Sequence, residues 1–209
     1  KPLNDSKYAL QFIRHHAKQF NIDPNNIAIY GGSAGAGTAL WLAASDDMAE
    51  PAAADRVLRE STRISAAGAI ETQASYDILR WLDAVFVEFG LTFDLIFFAQ
   101  PALEQTLFSF YGVGSRAAVE SDPEVAAFRA SVDMLKLLTS DDPEIFVSNT
   151  RIGTGLPLGV DALFHHPFHA RELMEAAQAG GVVGVYNIPQ MGITDTETAA
   201  DFMLRKVGL

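Results

Sequence analysis

The sequence predicts a single α/β domain with a mostly parallel sheet that is flanked by helices. Two observations lead to this class. Short apolar segments alternate with helical ones along the chain, and a glycine-rich turn joins the first apolar segment directly to a helix. Strands that alternate with helices form parallel sheets with helical layers on both faces. Because 209 residues suffice for one substantial core, we expect one domain over residues 1–209.

Four short segments are predicted to be strands, and at least the first is expected to be buried on both faces because its apolar residues do not alternate. They are residues 27–30, 63–70, 144–147 and 181–186. Before the first strand, Asn4 or Asp5 is expected to cap a helix that runs to about Phe20. Another helix follows the glycine-rich turn, so this part of the chain is a strand, a tight turn and a helix.

Capping signals also delimit two helices in the last third of the chain. The helix before the last strand has Pro167 in its first turn, and Gly180 and Gly181 lie just beyond its expected end. The final helix is expected to begin at the capping-box pattern of residues 194–197 and to end near residue 207.

Residues 78–138 interrupt the alternation of strands and helices. They are rich in Phe, Trp and Leu and are predicted to be helical. Two interpretations are open: additional core or an oligomer contact, and a cap-like insertion over an apolar substrate pocket. Charged residues divide the most apolar part of this segment, so no membrane span is expected.

The composition excludes several classes of function. The 15 basic and 26 acidic residues give a net charge of −11, which argues against binding to nucleic acid. The absence of cysteine excludes disulfides, thiolate metal sites and cysteine nucleophiles. The first residues show no signal-peptide core, and nothing in the sequence identifies the compartment.

Gly31-Gly32-Ser33-Ala34-Gly35 matches the pattern G-x-S-x-G of a serine nucleophile elbow, in its required place between a strand and a helix. A serine on so sharp a turn is strained, and Gly31 and Gly35 are expected to remove collisions around it. Its hydroxyl should project at the carboxyl end of the sheet, where open α/β folds bind ligands. The Ala34 amide begins the helix and is the expected donor to an oxyanion.

Other uses of a glycine-rich turn are less consistent with this sequence. A phosphate loop requires a lysine after its glycines, and residues 28–54 contain none. The glycines are also too closely spaced for a dinucleotide fingerprint. A turn that only packs remains the open alternative.

Residues 27–44 resemble the nucleophile segment of α/β-hydrolase esterases, near the carboxylesterase and acetyl-esterase groups. Five later segments are similar to one little-described branch of that fold: residues 46–51, 59–63, 75–77, 137–143 and 165–170. The resemblance spans nearly the whole chain, although its specific part is the Ser33 motif. It implies an α/β-hydrolase-like fold and a serine carboxylester hydrolase that needs no cofactor.

The resemblance also implies parts that this sequence lacks. Hydrolases of this fold have several strands before the nucleophile strand, and a loop after one of them supplies a second oxyanion donor. We therefore expect an N-terminally shortened fold without that donor. The outer edge of the strand at residues 27–30 would then need a partner strand, a cover or another copy of the chain in a homo-oligomer.

The usual catalytic histidine and acid are missing as well. The histidine normally follows the last strand, where this sequence has Ile193, and no histidine occurs after His169. The acid is expected after the strand at residues 144–147, but residues 149–159 contain no carboxylate. The usual triad therefore cannot be assembled from these positions.

His165 and His166 are the expected replacements, because they begin a helix on the active-site side of the sheet. Asp161, four residues before His165, could orient the imidazole and hold its tautomer. The alternative roles are an N-cap for His166 and a packed or exposed loop position for His165. Glu71 and Asp77 are spare candidates for the acid.

A metal site at this helix start is not expected. His165, His166 and His169 have a spacing that a metal could use, but no acidic or cysteine ligand completes the set. The predicted chemistry is therefore that of a serine nucleophile without a metal or other cofactor.

The leading functional hypothesis is a serine esterase for small, fairly apolar carboxylic esters. In it Ser33 attacks the ester, His165 or His166 relays the proton, Asp161 orients the histidine and the Ala34 amide stabilises the oxyanion. One alternative is a catalytically silent relative that keeps the elbow and binds a ligand or partner. A third is a fragment that needs its missing strands in trans or from a dimer.

Overall fold

The protein, represented by a computed structural model that describes residues 2–209, contains a four-stranded parallel sheet with strand order β1-β2-β3-β4. The strands are β1 Ala28–Gly32, β2 Ala66–Ile70, β3 Glu144–Ser148 and β4 Gly184–Asn187. Ala28 aligns with Ala66, and Ala66 aligns with Glu144. The carboxyl ends of the first three strands therefore meet at one edge of the sheet, which is where the Ser33 turn lies.

Eleven α-helices connect and flank these strands within the described residues. They are α1 Pro2–His15, α2 Ala17–Phe20, α3 Ala34–Ala44, α4 Phe93–Ala99, α5 Pro101–Tyr111, α6 Arg116–Ser121, α7 Pro123–Ser131, α8 Met134–Leu137, α9 Val160–Phe164, α10 Pro167–Gly180 and α11 Ala199–Val207. Three 3-10 turns, Val57–Arg59, Val87–Phe89 and Pro189–Met191, and one π-helical turn, Trp81–Val85, complete the set.

The four predicted strands are all present, but two of them begin three residues later than expected. Residues 63–65 precede β2, and the Arg63 backbone amide donates to the Ser61 hydroxyl at 3.1 Å instead of to a neighbouring strand. Residues 181–183 form the turn before β4, because Gly181 takes a left-handed φ of 78° as the C-cap of α10. The expected helix stop at Gly181 is confirmed, although Gly180 belongs to the helix.

Two helix predictions need correction. The first helix is broken at His16, and Asn21 ends α2 with a left-handed φ of 55°. The final helix begins at Ala199, since the Thr198 hydroxyl accepts from the Asp201 amide at 3.1 Å. The predicted capping box at residues 194–197 is therefore wrong.

The core lies on both faces of the sheet. Helix α3 packs on β1 and β2, and its residues Ala36, Ala39, Leu40 and Ala43 are buried. On the opposite face, Phe202 of α11 contacts Phe146 of β3 with ring centroids 5.7 Å apart. Small side chains in β2 allow the helical layers to approach closely, which explains why Ala66–Ile70 is almost entirely buried.

The edge of the sheet formed by β1 has no further neighbouring strand within residues 2–209. Strand β1 hydrogen-bonds only to β2, and Tyr30 is 63% exposed. An open strand edge presents unpaired backbone groups. The expected partner strand, cover or second copy of the chain stays a prediction.

The predicted insertion at residues 78–138 is helical, as expected, from Trp81 to Leu137. Its buried aromatics join the main core, because Trp81 and Phe86 lie 4.8 and 5.3 Å from the ring of His169 in α10. Part of the segment therefore serves as core. Among residues 2–209, no helix combines the length and the apolar character needed to cross a membrane.

Candidate active site

Ser33 lies in a strained turn between β1 and α3. Its φ of 52° and ψ of −119° are rare for a residue with a side chain. The turn is held on both sides, because the Ser33 amide donates to the Ile70 carbonyl at 2.9 Å and the Ser33 carbonyl accepts from the Gly37 amide at 3.0 Å. A Cβ on Gly31 would lie 2.6 Å from the Gly35 carbonyl carbon. Packing therefore requires a glycine at position 31.

The structure does not require glycine at positions 32 and 35 on steric grounds, although Gly35 was expected to remove a collision. A Cβ on Gly35 would meet nothing within 4 Å, and one on Gly32 would lie 3.9 Å from the Ile70 carbonyl oxygen. The predicted collision thus arises between a side chain at position 31 and the backbone of Gly35. A side chain on Gly35 itself would not cause it.

Ser33, His165 and Asp161 lie in a hydrogen-bonded line. The Ser33 Oγ is 2.7 Å from His165 Nε2, and His165 Nδ1 is 2.9 Å from Asp161 Oδ1. A carboxylate accepts, so Nδ1 carries the proton and Nε2 is left to accept from the hydroxyl. The four-residue spacing on α9 brings Asp161 and His165 to the same side of that helix.

His166 is placed elsewhere. It is the N-cap of α10, where its Nδ1 accepts from the Phe168 amide at 3.2 Å, and its Nε2 donates to the Gly155 carbonyl at 2.9 Å. Burial lowers the pKa of this imidazole. The alternative that His166 caps a helix is thus the one observed, and of the two candidate histidines only His165 reaches Ser33.

Ala34 is the first residue of α3, so its amide is one that the helix leaves without an intrahelical partner. The Ala34 carbonyl accepts from the Tyr76 hydroxyl at 2.7 Å and from the Thr38 hydroxyl at 2.9 Å. These contacts fix the first turn of α3 beside Ser33.

The spare acid candidates do not contact His165. Glu71 has a left-handed φ of 51°, and its carboxylate binds Arg151 with an Nε to Oε2 distance of 2.7 Å. Asp77 accepts from the Leu79 amide and forms an ion pair with Arg129 at 3.5 Å. Both carboxylates have structural partners.

Arg151 was not anticipated from the sequence. Its Nη1 lies 3.3 Å from Asp161 Oδ2, so the guanidinium bridges Glu71 and Asp161. These residues and His165 line a cleft of about 510 Å³. No local pattern identifies Arg151, because its two partners lie 80 and 10 positions away in the chain.

The third histidine of the group, His169, is fully buried. Its Nδ1 accepts from the Ala74 amide at 3.1 Å, and its Nε2 donates to the Leu163 carbonyl at 2.9 Å. Burial lowers the pKa of His169 to about 3. His165, His166 and His169 thus have different partners, and the described residues contain no group of three side chains arranged to hold a metal.

The low pKa of His169 predicts loss of stability in mild acid. Below the unfolded-state value of 6.5 the unfolded chain binds a proton here, whereas the folded chain does not until about pH 3. This residue therefore destabilises the fold as pH falls through that window, by up to about 1.4 kcal/mol per pH unit. Urea unfolding at about pH 7.5 and about pH 5 measures the change in the free energy of unfolding.

His169→Gln is the comparison for this pH effect. The variant should be less stable at neutral pH, since a fitted buried side chain is replaced, but its stability should depend less on pH than that of the wild type. An equal pH dependence in both proteins would show that other groups cause the acid effect.

Comparison with known proteins gives a partial family match. A family model described as BD-FAE, an α/β-hydrolase-type family, matches residues 1–88. The matched region contains α1 to β2, and therefore the Ser33 turn. No curated protein matches the chain significantly.

Several solved structures are similar over nearly the whole chain. An acetyl ester-xyloside bifunctional hydrolase from Caldicellulosiruptor lactoaceticus has a TM-score of 0.56 and 18% identity, with 98% of this chain and 59% of that one covered. A truncated carbohydrate esterase from gut microbiota has a TM-score of 0.54 and 13% identity, with 99% and 68% covered. A bifunctional GH43-CE protein from Bacteroides eggerthii has a TM-score of 0.56 and 16% identity, with 98% and 27% covered.

The chain thus spans about 59% of the length of the first of these structures. At sequence identities of 13–18%, these similarities show a shared fold, and the chemistry of each protein has to be established separately. The order of elements and the parallel sheet between helical layers indicate the same fold as these structural neighbours. The chain therefore has an α/β-hydrolase fold similar to that of these ester hydrolases.

Proposed function

We propose that the protein is a serine hydrolase of small carboxylic esters. The observation that carries this proposal is the line of hydrogen bonds from the Ser33 hydroxyl through His165 to Asp161, with distances of 2.7 and 2.9 Å. A hydroxyl, an imidazole and a carboxylate in this order form a nucleophile, a base and the group that orients the base. The strained backbone of Ser33 at the carboxyl end of the sheet supports the same role.

The reaction uses these groups in two steps. Ser33 Oγ bonds to the ester carbonyl carbon while its proton passes to His165 Nε2, and the alcohol leaves with that proton. Water then attacks the acyl-serine, gives a proton to the same nitrogen and releases the acid, and the proton returns to Ser33. The Ala34 amide donates to the oxyanion formed in each step.

Asp161 acts in an unusually open position for an orienting acid. Its side chain is 70% exposed, while that of His165 is 17% exposed. Solvent weakens the attraction between the carboxylate and an imidazolium. Arg151 compensates in part, since it holds the second oxygen of Asp161 and is itself fixed by Glu71. In this role Arg151 keeps the carboxylate aimed at His165.

The substrate is proposed to be small and partly apolar, and residues 78–138 are proposed to act as a cap-like insertion. A second cleft, of about 250 Å³, lies between α4 of that segment and the loop before α9. It is lined mainly by apolar side chains, including Leu95, Phe98, Leu158 and Leu163. Such a cleft fits a short acyl or alkyl group, and the acetyl ester named for the first structural neighbour is of that size.

Covalent labelling with an organophosphonate tests the proposal. An activated serine displaces the leaving group of the reagent, so the intact mass of the wild type should increase by one phosphonyl group, located on Ser33 by peptide mapping. Ser33→Ala and urea-denatured wild type should remain unlabelled. A folded wild-type protein that takes up no label would instead favour a silent relative that binds a ligand or partner.

A further inference from the structure

Three consecutive backbone carbonyls at the end of α9 each accept a hydrogen bond from a buried side chain. His169 Nε2 donates to the carbonyl of residue 163 at 2.9 Å, and Gln73 Nε2 donates to that of residue 164 at 2.9 Å. Asn149 Nδ2 donates to the carbonyl of His165 at 3.0 Å. We call Gln73, Asn149 and His169 the carbonyl cradle.

The cradle joins three separate parts of the fold to one short helix. Gln73 lies in the loop after β2, Asn149 directly follows β3, and His169 is in the first turn of α10. Gln73 is 3% exposed, and the other two are fully buried. Asn149 has two further hydrogen bonds. Its side-chain Oδ1 accepts from the Arg151 backbone amide at 3.0 Å, and its backbone amide donates to the Asn187 carbonyl at 3.0 Å.

A helix as short as α9 cannot hold its own geometry. It has five residues, and isolated helices of that length are unstable in water. The last carbonyls of any helix also lack intrahelical donors. His165 directly follows α9, so the position of its imidazole depends on where this helix end is held. The cradle supplies both the missing donors and the attachment to the sheet.

We propose that Gln73 and Asn149, together with His169, are positioning residues that hold His165 Nε2 within hydrogen-bond distance of Ser33. This inference rests on the proposed function, since it assigns the cradle a part in that reaction. None of the three forms a hydrogen bond with Ser33 in the structure, and they act through the backbone of α9. Small displacements of a catalytic group reduce turnover strongly, so loss of one cradle bond should lower kcat.

Gln73→Met, compared with Gln11→Met, tests the proposal. Gln11 is also fully buried, and its Nε2 donates to the carbonyls of Leu58 and Glu60 at 3.0 and 2.8 Å, remote from Ser33. Both variants lose a buried amide donor and should unfold at a lower urea concentration. Only Gln73→Met should lower kcat for a nitrophenyl ester, by about 10–100-fold, with KM changed less than about threefold.

A spectroscopic measurement separates positioning from turnover. The ¹⁵N shift of His165 Nε2, assigned by its loss in His165→Gln, should differ between wild type and Ser33→Ala because of the Ser33 hydrogen bond. Adding Ser33→Ala should change this shift in Gln11→Met as it does in the wild type, but it should leave the shift unchanged in Gln73→Met. If the wild type lacks esterase activity but this pattern holds, the proposed function fails and the positioning role stands.

Asn149→Ser provides a second variant if Gln73→Met does not fold. Serine is smaller and leaves room for water beside the His165 carbonyl, so the same effects are expected in weaker form. A drop in kcat of equal size in the Gln73 and Gln11 variants would overturn the proposal. An unchanged kcat and an unchanged His165 signal in folded Gln73→Met or Asn149→Ser would overturn it as well.

Discussion

Ser33→Ala is expected to reduce the hydrolysis of a short-chain nitrophenyl ester by about 10⁴-fold or more in kcat. The reason is geometric, since the Ser33 Oγ is the hydroxyl that lies 2.7 Å from His165 Nε2. An alanine has no atom that can attack the carbonyl carbon. The measurement is the initial rate of nitrophenolate release at saturating ester concentration.

Ser45→Ala is the matched control for this loss. It also removes a serine hydroxyl, but at the opposite end of α3, where Ser45 Oγ donates to the Trp41 carbonyl at 2.6 Å. We expect its kcat to stay within about threefold of the wild type, because the residue is a helix C-cap far from His165. Equal rates for Ser33→Ala and the wild type would refute the esterase hypothesis.

His165→Asn is expected to lower kcat by about 10³-fold or more, whereas His166→Asn should lower it by less than about fivefold. Asparagine cannot take a proton from the Ser33 hydroxyl, so the variant at 165 loses the base. At 166 the imidazole only caps α10 and bonds to Gly155, and asparagine is a favoured N-cap. Comparing these neighbouring substitutions separates loss of the base from general disturbance of α10.

Unfolding measurements complete the comparison of the two histidine variants. His166→Asn should lower the free energy of unfolding, because the buried ring packs against Phe86, Phe89 and Phe168. His165→Asn should affect stability less, since its ring is near the surface of the cleft. The opposite result, with activity lost only at His166, would mean that the hydrogen bond from Ser33 to His165 is not used in the reaction.

The sequence by itself determined the elements whose rules are local. The strand, glycine turn and helix around Ser33 followed from sterics within five residues, and Gly31 must be glycine for the reason expected. Pro167 and Gly181 marked the ends of α10 because proline fits the first turn and glycine the left-handed C-cap.

The sequence also paired Asp161 with His165, four residues later, although it did not predict the short helix α9 that carries this pair. The start of α11 was missed for a local reason, because the cap of that helix is the bond from the Asp201 amide to the Thr198 hydroxyl and not the similar pattern at residues 194–197.

Tertiary structure decided the parts that depend on distant segments. The sequence could not choose between His165 and His166, because the choice depends on which ring faces Ser33, 132 positions from His165. Side chains at neighbouring positions point in different directions, and the packing of the chain decides which of the two points to Ser33.

The residues that support His165 could not be predicted from the sequence for the same reason. Gln73 and Asn149 are ordinary polar residues until the parallel sheet brings the ends of β2 and β3 beside α9, 91 and 16 positions away. A buried amide is stable only when its partners are present, and those partners come from the folded chain. The sequence thus determined the fold and the turn at Ser33. The contacts that hold His165 beside Ser33 were decided by packing, since they join segments that no local pattern connects.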